Sequence, residues 1–149
     1  MEEHRVIVFG NHDHGQAICE AAGATYNPAV DICISRITSE GKLLGGMVFT
    51  AYTKASIGVH VSGFSPSWIN SDLLWVGFHY PFVRLGCSKI LSQVPASNSK
   101  ALEFNLKMGF SEEARIKDVF LDGDLIVFGM TRDACRWLKI KPRSLKEPD

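Results

Sequence analysis

The sequence predicts one mixed α/β domain in which a mostly antiparallel sheet is flanked by helices. Apolar segments with strand or helix periodicity follow each other as strand, helix, hairpin, strand, long helix, strand, short helix and hairpin. Glycine-containing turns separate these segments, and no internal repeat or linker divides them. We place the domain at residues 1–140 and a flexible tail, which contains two prolines, at residues 141–149.

The composition excludes several classes of function. Sixteen basic and sixteen acidic side chains cancel, so no global field attracts nucleic acid. The acidic N-terminus is wrong for a signal peptide, and the longest apolar run, residues 73–83, is too short to span a bilayer. We therefore expect a cytoplasmic protein with neither a membrane nor a nucleic acid as its partner.

The cysteines and the N-terminal histidines do not predict a metal site or a disulfide. The four cysteines show no Cys-x-x-Cys spacing, so we expect reduced thiols that act as small apolar core residues. His12 and His14 have no further ligand at a recognisable spacing, and they are better explained as the start of a solvated helix.

The N-terminal half predicts the first strands and one helix. Residues 5–9 form a short apolar strand, and residues 12–22 have helical composition. Residues 30–37 alternate apolar and polar side chains, and residues 43–52 form the strand that returns after a turn at residues 39–42.

The next strand, residues 55–64, has two unlike faces. Ile57, Val59 and Val61 form the apolar face, and Ser56, Gly58, His60 and Ser62 form the polar face. The first face belongs to the core. The second is small and polar with one imidazole, which suits a strand that lines a binding cleft, although an ordinary solvated sheet face explains it equally well.

A long helix is predicted from residue 69 or 70 to about residue 85, after a serine-rich loop. Pro81 interrupts its hydrogen bonding, and Gly77, one turn earlier, eases a kink. The strand that follows, residues 87–94, leads into a short helix.

Asn98 is the predicted N-cap of this short helix, Gly109 ends it, and Phe110 returns to the core. Residues 111–120 and 125–130 then form a closing hairpin around the Asp122-Gly123 turn, before a last helical turn at residues 132–138. Within the helix, Ala101, Leu102, Phe104 and Met108 lie at spacings that give it one apolar side.

The pattern of strand, Asn cap, short helix and Gly-Phe resembles the C-terminal half of the GCN5-related N-acetyltransferase (GNAT) superfamily. The resemblance covers about residues 30–138 and includes a hairpin similar to the central hairpin of that family. The closing hairpin is similar to the ribosomal-protein-modifying branch, and residues 130–137 are similar to small members encoded by bacteriophages. The resemblance implies a single GNAT-like domain with central strands that splay apart, here residues 55–64 and 88–94.

The resemblance also implies which residues bind acetyl-CoA, the co-substrate. The pantetheine arm lies between the splayed strands, where backbone amides and Asn98 hold it. The amino end of the long helix and the preceding loop accept the pyrophosphate. The implied cofactor-binding residues are Val59, Val61, Ser65, Ser67, Trp68, Ile69, Asn70, Ser71, Asn98, Ala101 and Phe104.

The pyrophosphate loop departs from the family pattern Gln/Arg-x-x-Gly-x-Gly/Ala. The matching positions are Ser65, Trp68 and Asn70, and Pro66 removes one amide donor. Serine hydroxyls are the expected replacement donors. Trp68 either covers the adenine or anchors the core.

The activity that the resemblance implies is transfer of an acetyl group to a primary amine by direct attack, without a metal. His60 is the predicted general base, because imidazole titrates near working pH, and a structural histidine is the alternative. Asp31 and Glu103 are weaker candidates. Asn105 occupies the position where many relatives have a tyrosine that acts as general acid.

Two functions therefore remain open at this point. The first is an N-acetyltransferase that acts on an amine-bearing protein or small molecule, and antiparallel edge strands would suit a homodimer. The alternative is a GNAT-fold binding or inhibitor protein with a degraded cofactor loop and no catalysis.

Overall fold

The computed structural model describes residues 6–140 and Pro142, and it forms one seven-stranded mixed sheet with helices on both faces. Arg5 and the predicted tail, apart from Pro142, lie outside the described residues. The strands are β1 (Val6–Phe9), β2 (Ile32–Ile37), β3 (Leu43–Thr50), β4 (Ser56–Gly63), β5 (Lys89–Pro95), β6 (Ser111–Phe120) and β7 (Gly123–Thr131). The helices are α1 (His12–Ala21), α2 (Ser71–His79) and α3 (Ser99–Met108), with a π-helix at Tyr80–Arg84 and a 3₁₀ turn at Arg136–Lys139.

The strand order is β1-β2-β3-β4-β5-β7-β6, and every neighbouring pair is antiparallel except β4 and β5. The predicted class, a mostly antiparallel mixed sheet flanked by helices, is therefore confirmed. Helix α1 packs over β2, β3 and β4 on one face, and α2 and α3 pack on the other. Among the described residues, no helix is long and apolar enough to cross a bilayer.

Two apolar clusters hold these layers together. The larger lies between the sheet and the helices α2 and α3, and its fully buried side chains include Phe49, Leu73 and Ile90. The smaller lies beneath α1, around Ile18 and Val48. Because successive residues of a strand face opposite sides, β2 and β3 contribute to both clusters.

The predicted long helix changes geometry at Pro81. Helix α2 ends at His79, and the π-helix continues the same direction, with the Leu85 amide donating to the Tyr80 carbonyl at 2.9 Å. The wider π turn accommodates a proline that cannot donate a helical hydrogen bond. Gly77 serves a different purpose from the predicted kink, because a Cβ there would lie 2.6 Å from Sδ of Met47. Its lack of a side chain lets α2 approach β3 closely.

The cap signals of α3 are confirmed. Oδ1 of Asn98 accepts a hydrogen bond from the amide of Ala101 at 3.1 Å. Gly109 has a left-handed φ of 104° and donates its amide back into the last turn, as only glycine does without strain. The amide of Phe110 then bonds to the Asn105 carbonyl at 3.0 Å, and its ring is buried in the larger cluster.

All four cysteines are free and buried, as predicted, and this has a measurable consequence. Burial raises the pKa of Cys19 and of Cys33 to about 11, and it also raises the pKa of Cys87 and of Cys135. Since the thiolate is the reactive form, we expect a disulfide reagent at pH 8 to label the native protein slowly. The same assay in denaturant should label all four thiols rapidly. Rapid labelling of even one thiol in the native protein would contradict this prediction.

A candidate ligand site in the sheet

The sheet opens between its two central strands. Strands β4 and β5 pair in parallel at only three positions, the last of which joins Gly58 to Leu91. Beyond that point β4 continues beside β3 to Gly63, and β5 continues beside β7 to Pro95. The facing edges of the two strands therefore expose backbone amides and carbonyls to a gap, and the predicted splay is confirmed.

A cavity of about 450 Å³ lies over this gap on the face that carries α3. It brings together cofactor-site residues that the sequence predicted from three separate segments. They are Val61 on β4, Trp68 in the loop, and Asn98, Ala101 and Phe104 in and beside α3. Its remaining lining residues are Ser62, Gly63, Lys100 and Asn105. A small apolar pocket of about 20 Å³ continues toward the core, where Val59 also lines it.

Trp68 forms one wall of this cavity and rests on two glycines. A Cβ on Gly45 would lie 2.7 Å from the Trp68 ring, and a Cβ on Gly63 would overlap the ring outright. The ring also stacks with Phe104, with 5.9 Å between centroids and 27° between planes. Trp68 therefore packs against the larger cluster and lines the cavity at the same time.

On the α3 side, Asn98 keeps a group available for a ligand. Its side-chain oxygen is used by the cap, so the exposed NH₂ is left to donate to an acceptor in the cavity. Asn105 is buried and donates to the Ala101 carbonyl at 2.8 Å, so it acts as a fixed polar group of the wall. Lys100, which the sequence reasoning missed, adds an exposed positive charge to the cavity.

The loop before α2 forms a tight turn and a helix cap. The amide of Trp68 donates to the Ser65 carbonyl at 3.2 Å, which closes a turn with Pro66 at its second position. Oδ1 of Asn70 accepts from the amide of Leu73 at 2.9 Å, so Asn70 is the N-cap of α2. Ile69, between the turn and the cap, is half-buried and packs against the larger cluster.

The three serines of the loop differ in exposure. Oγ of Ser65 lies 3.4 Å from Oγ of Ser67, and both hydroxyls are on the outer surface. Oγ of Ser71 is buried, without a hydrogen-bond partner among the described residues. Ser65 and Ser67 can therefore reach a ligand from this conformation, whereas the Ser71 hydroxyl points inward.

A buried arginine, which the sequence reasoning also missed, supports this loop from below. Arg36 on β2 is only 4% exposed. Its Nη1 donates to the carbonyl of Ser67 at 2.6 Å and to the carbonyl of Trp68 at 2.8 Å. The available signal was an arginine on the strand face that also carries Ile32 and Ile34, since a buried charge must be compensated by hydrogen bonds.

The predicted base, His60, lies on the other face of the sheet. It pairs in register with Val48, which belongs to the cluster beneath α1, whereas its neighbours Val59 and Val61 face α2 and α3. Burial lowers the pKa of the half-buried His60 imidazole, and the carboxylate of Asp31 acts in the opposite direction. His60 does not line the cavity: it lies two residues beyond the last pair of β4 with β5, on the face that α1 covers.

The alternative bases are placed less favourably. Asp31 is 6% exposed, and its Oδ2 accepts from the Asn27 amide at 2.8 Å. Glu103 lies on the outer side of α3, where it forms an exposed ion pair with Lys107 at 3.2 Å. Neither carboxylate lines the cavity.

The N-terminal histidines are engaged in local hydrogen bonds. Nδ1 of His12 lies 2.6 Å from the hydroxyl of Tyr26, and Nδ1 of His14 lies 2.7 Å from Oγ of Ser35. Among the described residues, no cluster of three or more histidine, cysteine or acidic side chains could hold a metal ion.

No protein-family model matches the sequence, and comparison with curated proteins finds no significant match. Solved structures do match the fold. A protein classed as an acetyltransferase from Acinetobacter baylyi ADP1 superposes with a TM-score of 0.67 at 15% identity, over 90% of this chain and 96% of that chain. Mutant forms of SpeG, the spermidine/spermine N-acetyltransferase of Vibrio cholerae, give 0.66 at 14% identity, over 91% of this chain and 98% of that chain.

A third structure, classed as a phosphinothricin N-acetyltransferase, gives a TM-score of 0.63 at 13% identity, over 86% of this chain and 98% of that chain. Identities this low establish the fold alone. The seven-stranded mixed sheet with its flanking helices matches the GNAT acetyltransferase fold.

Proposed function

From this acetyltransferase fold we propose that the protein is an N-acetyltransferase that uses acetyl-CoA and a primary amine. The observation that carries the proposal is the gap between β4 and β5, with a cavity on it that five of the eleven predicted cofactor residues line. A gap in a sheet is a costly feature, because it exposes backbone groups that an added strand would satisfy. An extended polar chain such as pantetheine can supply the missing hydrogen bonds.

The residues of the cavity suit the parts of acetyl-CoA in order. Backbone amides of β4 from Val59 to Val61 meet the pantetheine arm, and the NH₂ of Asn98 donates to it. Phe104 and Ala101 give the arm an apolar wall. The amino end of α2 offers first-turn amides and the positive end of its dipole to the pyrophosphate. Lys100 adds a positive charge at the same opening.

In the proposed reaction the amine nitrogen bonds to the acetyl carbon, the bond from that carbon to sulfur breaks, and CoA leaves as a thiol. The ammonium form of the substrate must first lose a proton. The lowered pKa of His60 keeps the imidazole neutral at pH 7, and we propose that it accepts this proton from the face of β4 opposite the cavity. Asn105 has no titrating proton to give to the leaving thiolate, which solvent can protonate.

The proposal specifies the acetyl acceptor only by its chemical class, a primary amine. SpeG is named as a spermidine/spermine N-acetyltransferase, and another structural neighbour is named for phosphinothricin, so small amines are the first acceptors to test. The closing hairpin adds the N-termini of ribosomal proteins to that screen. Free, buried cysteines suit the reducing cytoplasm, where we place the protein. A homodimer formed through an edge strand, β1 or β6, is part of the same proposal.

The alternative function, a binding protein without catalysis, draws its support from the loop. The loop carries Pro66 and none of the glycines that let a backbone close on phosphate. In that case the cavity would bind no CoA, and the protein would act through a stable complex with a protein partner.

Calorimetric titration with acetyl-CoA separates the two functions. We expect micromolar binding, and acetyl-CoA at 100 times its dissociation constant should stabilise the fold by about 2.7 kcal/mol. Phe104→Ala should weaken binding at least tenfold, because it removes the apolar wall and the stacking partner of Trp68. Leu106→Ala, an exposed position of the same helix, is the matched control and should bind as the wild type does. Failure of the folded wild type to bind millimolar acetyl-CoA would support the alternative.

A further inference from the structure

The carbonyls that Arg36 holds determine which way the loop amides face. In a planar trans peptide, the N–H group points opposite to the carbonyl of the same unit. The Trp68 carbonyl points inward to Arg36, so the amide of Ile69 points away from the protein interior. The Ser67 carbonyl also points inward, and the amide of the same peptide closes the turn onto Ser65.

The same loop is fixed at a second point that is independent of Arg36. The Trp68 ring rests on the backbone of Gly45 and Gly63 and stacks with Phe104. The turn thus has a proline-restricted start, a guanidinium beneath two consecutive carbonyls, and an aromatic anchor. Together these contacts hold it in one conformation without glycines of its own.

The position of Arg36 also places its charge near the amino end of α2. Its carbonyl partners lie two and three residues before Asn70, the cap of that helix. The first turn contains one buried acid, Asp72, which offsets part of the positive potential. The main contribution of Arg36 is therefore to geometry: it fixes the outward direction of the Ile69 amide, which can meet an anion.

We propose that Arg36 is the positioning residue of the pyrophosphate loop, and that it replaces the conformational role of the missing glycines. The proposal rests on acetyl-CoA binding as proposed above. Nη1 of Arg36 donates to both carbonyls, and the planar guanidinium fixes the directions of its two N–H groups. A lysine ammonium, in contrast, is a point charge on a flexible stem. Arg36→Lys therefore keeps the charge and loosens the loop.

The test compares two ligands that differ in the nucleotide end, which contains the pyrophosphate. CoA carries it, and pantetheine, which is the arm alone, does not. For Arg36→Lys we expect CoA binding by calorimetry to weaken at least tenfold, while pantetheine binding by chemical-shift titration stays within twofold. Arg36→Gln should show the same split with a larger loss for CoA. Arg132→Lys, at an exposed arginine outside the cavity, is the control and should leave both constants unchanged.

The possible outcomes distinguish failure of the role of Arg36 from failure of the proposed function. No binding of CoA to the wild type would overturn the proposed function and the role of Arg36 with it. CoA binding that is unchanged in Arg36→Lys would overturn the role of Arg36 alone. Equal weakening of both ligands would also overturn it, because a general loss of structure does not distinguish the pyrophosphate from the arm. If Arg36→Gln fails to fold, Arg36→Lys still decides.

Discussion

Replacing His60 with glutamine is expected to lower kcat for acetyl transfer by about 10²–10⁴-fold, the range for loss of a general base. Glutamine retains a polar side chain at the half-buried site but cannot take the proton of the attacking ammonium. Since His60 lies outside the cavity, the affinity for acetyl-CoA should stay within twofold of the wild type. Steady-state kinetics with the best acceptor, together with calorimetry, provide both numbers.

The pH dependence of kcat/KM tests whether His60 is the general base. Burial lowers the pKa of His60 from its ordinary value of 6.5, so kcat/KM should fall only as the pH drops below that value. The carboxylate of Asp31 raises the same pKa, so Asp31→Asn should move the acid limb to lower pH. In His60→Gln the limb should vanish, because glutamine cannot gain or lose a proton in this pH range.

His14 is the matched control for the pH profile. Burial also lowers the pKa of His14, so it would produce a similar acid limb if it were the group observed. Its imidazole bonds to Ser35, and His14→Gln should leave the limb where it is. Wild-type turnover in His60→Gln would remove His60 from the mechanism and leave the cofactor site standing.

The fold could be predicted well from the sequence because its signals are local. Asn98 and Gly109 fix both ends of α3 through bonds to residues a few positions away, and Pro81 marks the place where α2 changes to a π-helix. The alternation along β4 gives two faces correctly for the same reason. What alternation cannot give is which neighbour covers each face, and α1 covers the polar face that was predicted to line the cleft.

Several residues that line the site could be predicted from the sequence, but the residues that hold its loop and Trp68 in place could not. Val61, Trp68, Asn98, Ala101 and Phe104 meet at one cavity, as the family resemblance implies. Arg36 lies more than thirty residues before the loop that it holds, and Gly45 and Gly63 come from two different strands. These contacts exist only once the sheet is assembled, so no local pattern encodes them.

Gly63→Ala is expected to displace the Trp68 ring and to weaken acetyl-CoA binding at least tenfold. A Cβ at this position would overlap Nε1 and Cδ1 of Trp68, so the ring must move away from the Gly63 backbone. Gly63 is not among the residues with a positive φ, so alanine adds no backbone strain, and the whole effect arises from this contact. Overpacking of this kind typically costs about 1–3 kcal/mol of unfolding free energy. Denaturant unfolding, tryptophan emission and calorimetry measure the three consequences.

A double-mutant cycle with Trp68→Leu shows whether the ring is the cause. If it is, Gly63→Ala should cost little stability once the indole is absent, and the coupling energy should approach the full cost of the single change. Gly58→Ala in the same strand is the matched control. Its Cβ would meet Thr50 at 3.3 Å, a contact that small movements relieve, so its cost should be smaller. If Gly63→Ala lowers the unfolding free energy equally with and without the indole, the effect does not arise from contact with the Trp68 ring. Gly63 would then be required by the strand itself, and the loop alone would position the wall of the cavity.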